Sequence, residues 1–393
     1  MEKQQTKTKS MSFTGAFAVA CVLFGSHAGG GFATGNQATQ YYVQYGWTAP
    51  IMAVIAMALL TLTIRECIIM YNSRGLSSYK ELFQVLYHPF DKLSILFDIY
   101  FYIMVVCAVG AVIAGAASLL NKTYHIPYAY AVISVGILLL TMTIFGASMV
   151  SRASTIMSIG ILLSCAIIFV LGIGAKALEI SEIFAVRGST NMGKGILNAF
   201  TYAGFQSVVI PTMISCGKTL KRPKEVSRSM IISFVINSIA LVLSIIMLLG
   251  WYVEFTQAGE STLPTLYITG QLGKPYVFLA YNICLFLCFI STGVTTIYGV
   301  VEKFEKIKIL SGINNILIRR IIISCLIMVM SMGISMVGLD KIIKYGYGYM
   351  GYFGIAIIII PFLTIGAYKN HKYLRSHEEK ISSGSKFVEE AEF

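Results

Sequence analysis

Apolar residues run through this chain in blocks of about twenty, separated by short polar or charged stretches. A helix needs about 20 apolar residues to cross the hydrocarbon core of a bilayer, so each block is long enough to span one. Ten spans are expected, at about 12–44, 49–70, 93–119, 127–149, 153–174, 195–216, 230–252, 276–301, 316–337 and 346–367. The blocks are continuous rather than alternating, which excludes the short two-faced strands of a transmembrane β-barrel. The expected fold class is an all-α polytopic membrane protein.

Two of the spans depart from the pattern. The first is too long, since a continuous helix from Ser12 to Tyr45 would run about 50 Å against a hydrocarbon core of about 30 Å. Its middle reads Gly25-Ser26-His27-Ala28-Gly29-Gly30-Gly31-Phe32-Ala33-Thr34-Gly35-Asn36-Gln37. Three consecutive glycines there disfavour helix by roughly 3 kcal/mol relative to alanine. Irregular backbone at that depth is tolerated only where protein or a cavity surrounds it, because lipid offers no hydrogen-bond partner. An unwound turn near Gly25 to Gly31 absorbs the excess length and accounts for the glycines.

Five spans later a related segment runs from Gly193 to Gly217, with the core Asn198-Ala199-Phe200-Thr201-Tyr202-Ala203-Gly204-Phe205-Gln206-Ser207 and then Pro211. Either segment alone is accounted for by small packing residues. Their recurrence in register favours a 5+5 inverted repeat, with repeats at about 12–174 and 195–367 and helices 1 and 6 broken. A transmembrane domain is thus expected over 12–368, between a cytoplasmic N-terminus (1–11) and a charged, disordered tail (369–393). Connections of about 175–194 and 253–275 are long enough to act as lids.

Composition fits this organisation: 56% of the 393 residues are hydrophobic and only 12% charged. A net charge of +12 is also a mark of nucleic-acid binding, but 23 of the Lys and Arg fall on the side of both termini and 7 on the other. The basic excess is therefore topology, which places both termini in the cytoplasm of a multi-pass plasma-membrane protein. Lys7 and Lys9 ahead of an apolar run mimic a signal peptide, yet no cleavage context follows, so a retained first helix is expected.

Chemistry-bearing residues are sparse inside the spans. His27 and Asp98 are the notable ionisable groups. Without paired carboxylates, a His/Cys metal set or a nucleotide-binding loop, neither an enzyme nor a bound cofactor is expected. The eight cysteines sit in or at the ends of spans, which argues against a disulfide framework. What the chain offers instead is oxygen, in Ser291-Thr292-Gly293-Val294-Thr295-Thr296 of the eighth span.

Two motifs carry a resemblance that extends these readings. Gly25-x-x-Ala28-Gly29-x-Gly31 resembles the unwound turn of LeuT-type transporters, and Thr292-Gly293-Val294-Thr295-Thr296 resembles their sodium-site helix. The element from Phe24 to Gln37 is similar to that of the YkvI-like amino-acid permeases of the amino acid–polyamine–organocation (APC) superfamily. The resemblance implies one sodium ion as coupling ion, held by carbonyls of Gly25, Ala28 and Thr292 and hydroxyls of Thr295 and Thr296. It implies an amino-acid-like substrate beside Ser26, His27, Gly29 and Gly31 of the first span and Phe200, Ala203, Gly204 and Phe205 of the sixth. Departures narrow it: Phe32 replaces an asparagine that helps hold a further sodium, and the fifth span lacks the lysine of proton-coupled variants.

The expected function is sodium-coupled symport of an amino acid or similar small zwitterion by alternating access. The alternatives are a ligand-sensing receptor subunit on a transporter fold, and a proton-coupled or uniport permease in which His27 titrates. The expected partners are the small-molecule substrate and the lipid bilayer, with no nucleic acid. GxxxG spacing at Gly25/Gly29 and Gly31/Gly35 permits a homodimer.

Overall fold

A computed structural model describes residues 13–27, 29–145, 147–304, 313 and 315–376, and every regular element among them is helical. Seven helices among the described residues are long and apolar enough to cross a bilayer: Val43–Ser73, Asp91–Tyr124, Tyr128–Phe145, Pro223–Gln257, Pro275–Val301, Ile316–Ser335 and Leu339–Ser376. An eighth candidate, Ile159–Ala175, joins Ala177–Val186 through a bend of 73°. The first and sixth expected spans are instead each built from short helices in series.

The first span comprises Phe13–His27, Gly30–Ala33 and Asn36–Tyr41. Helix persists through Gly25 and Ser26, so the break is shorter than the expected Gly25–Gly31 stretch and centres on Gly29, whose backbone is extended (ψ −172°). It is short because Gly29 closes it: its carbonyl accepts from the amides of Phe32 (3.0 Å) and Ala33 (3.1 Å) and restarts a helical turn. A second corner follows at Gly35, which is left-handed at φ 79°. A Cβ there would lie 2.6 Å from the Thr265 hydroxyl, so both conformation and space require glycine.

The sixth span runs as Met192–Gln206, a 3₁₀ turn at Ser207–Val209, and Ile210–Gly217. Its interruption is thus a tightened turn rather than an extended gap. Pro211 opens the last piece, in the first helical turn where a missing N–H does least harm. Such a turn shifts the helical register and loosens carbonyls just before it. Those of Gly204 and Phe205 both accept from the Tyr100 hydroxyl, at 2.6 and 2.8 Å.

Glycines permit two close approaches between helices. Gly204 of the sixth span abuts Gly351 and Gly354 of the last, where a Cβ on any of the three would strike main-chain atoms. The Phe289 ring from Pro275–Phe304 is held between Gly30 of the first span and Gly115 of Ile95–Tyr124. The last helix also carries three π-helical stretches, Ile342–Tyr347, Ile355–Ile359 and Phe362–Gly366, and it continues to Ser376.

The two long connections carry their own short helices, Ala177–Val186 and Pro264–Gln271. A third short helix, Tyr79–Tyr87, is N-capped by Ser78, whose hydroxyl accepts from the Glu81 amide at 3.2 Å. Hydrogen bonds from Ser77 to the Glu81 carboxylate hold that carboxyl below its ordinary range.

Candidate functional site

The break in the first span faces a cluster of buried neutral polar side chains. His27 ends Phe13–His27 and is 3% exposed. Its Nδ1 lies 2.9 Å from Asn237 Oδ1 of Pro223–Gln257, and its Nε2 lies 2.7 Å from the Tyr202 hydroxyl of Met192–Gln206. Gln206, one turn below Tyr202, reaches the same hydroxyl at 3.4 Å, and Gln37 Oε1 lies 3.3 Å from it. Gln37 folds back over Gly31, where its amide carbon lies 2.9 Å from the position of a Cβ. A side chain on Gly31 would evict it.

These bonds fix the protonation pattern. The Asn237 amide nitrogen donates to the Ser233 carbonyl (2.8 Å) and hydroxyl (3.2 Å), so its oxygen must face His27. An amide oxygen only accepts, hence the neutral imidazole carries its proton on Nδ1 and accepts from Tyr202 at Nε2. The Tyr202 proton is then committed to His27. A second proton on His27 would reverse that bond and release the Tyr202 hydroxyl to donate to Gln37.

On its other side Tyr202 packs against Tyr42 (ring centroids 5.1 Å), Phe205 (4.9 Å) and Tyr41 (5.7 Å). Tyr41 donates to the Ile343 carbonyl at 2.9 Å and also lines a cavity of about 460 Å³ with Thr39, Asn198, Lys344 and Tyr349. Tyr41 therefore stands between that cavity and the polar cluster. Nearby, Asn36 and Thr262 donate to the two carboxylate oxygens of Asp340, at 2.6 and 2.5 Å. The end of the first span, the 258–263 connection and the start of the last helix are tied there.

The residues expected from sequence fall into three groups. His27, Gly29 and Gly31 lie at the break and Phe205 packs against Tyr202 of the cluster, while Ala203 is buried and Phe200 half-buried on the same helix. Gly204 is buried against the last helix, where its role is close packing. Gly25 and Ser26 are exposed at the end of the first helical piece, and Ala28 lies outside the described residues. In the eighth span Thr292 approaches the break, its hydroxyl 3.6 Å from where a Gly29 Cβ would sit. Thr295 is exposed and donates to the carbonyls of Ser291 (2.8 Å) and Thr292 (3.3 Å), while Thr296 is half-buried.

The cluster also contains residues that the sequence reading passed over: Gln37, Tyr202, Gln206 and Asn237. Two signals were present. Tyr202 and Gln206 share a face at i, i+4, and Asn237 is an amide in the apolar seventh span, where a polar side chain needs a partner.

No family model matches the chain, and no curated protein matches it. Solved structures do. A Na⁺-coupled sialic acid symporter in a substrate-bound outward-open state is 13% identical, with a TM-score of 0.60 over 89% of this chain and 79% of that one. Inward-facing Mhp1 is 11% identical, with a TM-score of 0.56 over 91% and 94%. The Eremococcus coleocola manganese transporter, in complex with an aromatic bis-isothiourea substituted compound, is 14% identical with a TM-score of 0.52 over 93% and 88%. The fold is the LeuT-like helical fold that the resemblance of the first and eighth spans implied, and these structural neighbours are transporters.

Proposed function

We propose that this chain is a secondary active transporter that couples sodium to movement of an amino acid or similar small zwitterion by alternating access. The observation that carries the proposal is the break at Gly29 set against a buried cluster without formal charge, drawn from the first, sixth and seventh spans. A zwitterion brings its own opposed charges, which such a site holds by dipoles and backbone groups. Its carboxylate is assigned to the backbone at Ser26, Gly29 and Gly31, beside His27. Its side chain is assigned to the surface of Phe200, Ala203 and Phe205, since Gly204 is taken up by the last helix. The resemblance to YkvI-like permeases supports the amino-acid class.

The proposed sodium ligands are the carbonyls of Gly25, Ala28 and Thr292 and the hydroxyls of Thr295 and Thr296. Contact between Gly29 and Thr292 supports this set, because it joins the break to the eighth span. The Thr295 hydroxyl sends its proton into its own helix, which leaves oxygen lone pairs for a cation. Both termini are assigned to the cytoplasm of the plasma membrane from the distribution of Lys and Arg.

Proteoliposome uptake of an amino-acid panel, under inward sodium or potassium gradients, tests the proposal. Concentrative uptake in sodium alone is expected, with the sodium dependence lost in the Thr295→Val, Thr296→Val double variant. Equal uptake in potassium removes the sodium coupling. Binding without turnover favours the ligand-sensing receptor.

A second reading, proton coupling, rests on the His27–Tyr202–Gln37 relay. In that case uptake is driven by an inward proton gradient without sodium. Tyr202→Phe then abolishes that uptake, whereas proton-driven uptake unchanged by that substitution excludes the relay.

A further inference from the structure

A second cavity, of about 570 Å³, opens at the ends of Ala49–Ser73 and of the last helix, beside Tyr79–Tyr87. Arg74, His88, Asp91, Lys369, Lys372 and Tyr373 line it. Two of its cations are anchored by neutral oxygens. Lys369 Nζ donates to the carbonyls of Val85 (2.9 Å), Leu86 (2.9 Å) and His88 (3.0 Å), which end the short helix. Arg74 donates to Asn370 Oδ1 (2.8 Å) and the Lys369 carbonyl (3.0 Å), and its guanidinium lies 4.5 Å from the Tyr373 ring centroid. Carbonyls and amides orient these charges without neutralising them.

The carboxylates nearby already have partners. Asp91 Oδ1 lies 3.1 Å from His88 Nδ1, and buried Glu66 is bonded by Arg65 and by Asn370 Nδ2 (2.9 Å). Lys372 adds a third, exposed cation. Two anchored positive side chains and the exposed Lys372 thus share the cavity with one carboxylate. Apolar surface flanks it: Phe90, Leu93 and Ile95, which follow His88 along the chain, are 68%, 43% and 58% exposed. A basic recess bordered by outward-facing apolar side chains matches the chemistry of a lipid phosphate with its acyl chains alongside.

We propose that this cavity binds the phosphate of an anionic phospholipid, with Arg74, Lys369 and Lys372 around the headgroup and Phe90 and Leu93 along the acyl chains. Bound there, the lipid joins the end of the last helix to the short helix that packs under it. This site is separate from the transport site and does not depend on what is carried.

Native mass spectrometry of the full chain in detergent tests it, with separate titrations of phosphatidylglycerol, phosphatidylcholine and inorganic phosphate. Phosphatidylglycerol is expected to bind at least about tenfold more tightly than phosphatidylcholine. Lys372→Glu removes that preference while leaving the melting temperature in lipid-free detergent unchanged, since Lys372 is exposed. Phe90→Ser weakens phosphatidylglycerol but not inorganic phosphate. Equal binding of the two lipids, or a preference that survives Lys372→Glu, overturns the proposal. Inorganic phosphate binding more tightly than phosphatidylglycerol makes the ligand a soluble phosphate and overturns the lipid. If phosphatidylglycerol binds only when the chain ends at Ser376, the acidic continuation with Glu378 and Glu379 is the occupant, which also overturns it.

Discussion

Nδ1 of His27 and Oδ1 of Asn237 lie 2.9 Å apart, although 210 positions separate the two residues. The Asn237 amide nitrogen is fixed on the Ser233 carbonyl, so its oxygen has one orientation and selects the Nδ1–H tautomer of His27. Residues from the first and seventh spans are thereby locked beside the break. Asn237→Ala leaves a buried donor on His27 without its acceptor, which costs about 1–3 kcal/mol. A lower melting temperature and weaker ligand binding are expected together. An unchanged melting temperature would show that the bond does not hold the spans.

Phe289 sits on Gly30 and Gly115, with ring atoms 2.5 Å from where either Cβ would be. Overpacking of this kind costs about 1–3 kcal/mol. Gly30→Ala is expected to lower thermal stability, and Phe289→Leu in the same chain to restore part of it. A double-mutant cycle measures the coupling, and strict additivity would mean that the ring is not the obstacle.

The Tyr100 hydroxyl serves the carbonyls of Gly204 and Phe205 just ahead of the 3₁₀ turn. Tyr100→Phe keeps the ring and removes that donor, at about 1–3 kcal/mol for the buried acceptors. Reduced uptake is expected with the loss of stability, because the same turn borders the proposed substrate surface. Full uptake at normal stability would separate Tyr100 from the break.

Asp340 accepts from both Asn36 and Thr262. Hydrogen bonds to a charged group contribute about 1.5–3 kcal/mol each. Asp340→Asn turns one acceptor into a donor and loosens the tie between the first span, the 258–263 connection and the last helix. Faster maleimide labelling of Gln40→Cys, at the cavity wall, is the expected readout in the Asp340→Asn background. Labelling at the parent rate would show that the tie does not control access.

Much of the fold was legible because its causes are local. Run length and apolarity identify membrane helices through the cost of unpaired backbone in lipid. Three adjacent glycines mark a place where helix is weak, and the break indeed falls at Gly29. Its extent was less legible. The Gly29 carbonyl recaptures the amides of Phe32 and Ala33, so a helical turn reforms where composition alone argued for unwinding. In the sixth span the same kind of sequence produced a tightened turn, since Tyr100 of another helix takes up the loosened carbonyls.

By itself the sequence determined the membrane class, the approximate spans, and the glycines and histidine at which the first helix gives way. These follow from residue type and spacing, which act within one helix. Only the tertiary structure decided that Gln37, Tyr202, Gln206 and Asn237 converge on His27, that Gly204 serves the last helix, and that Arg74 and Lys369 share a cavity. Those meetings depend on how helices from distant parts of the chain pack. An amide or hydroxyl in an apolar span announces that it needs a partner, and packing alone selects which one it finds.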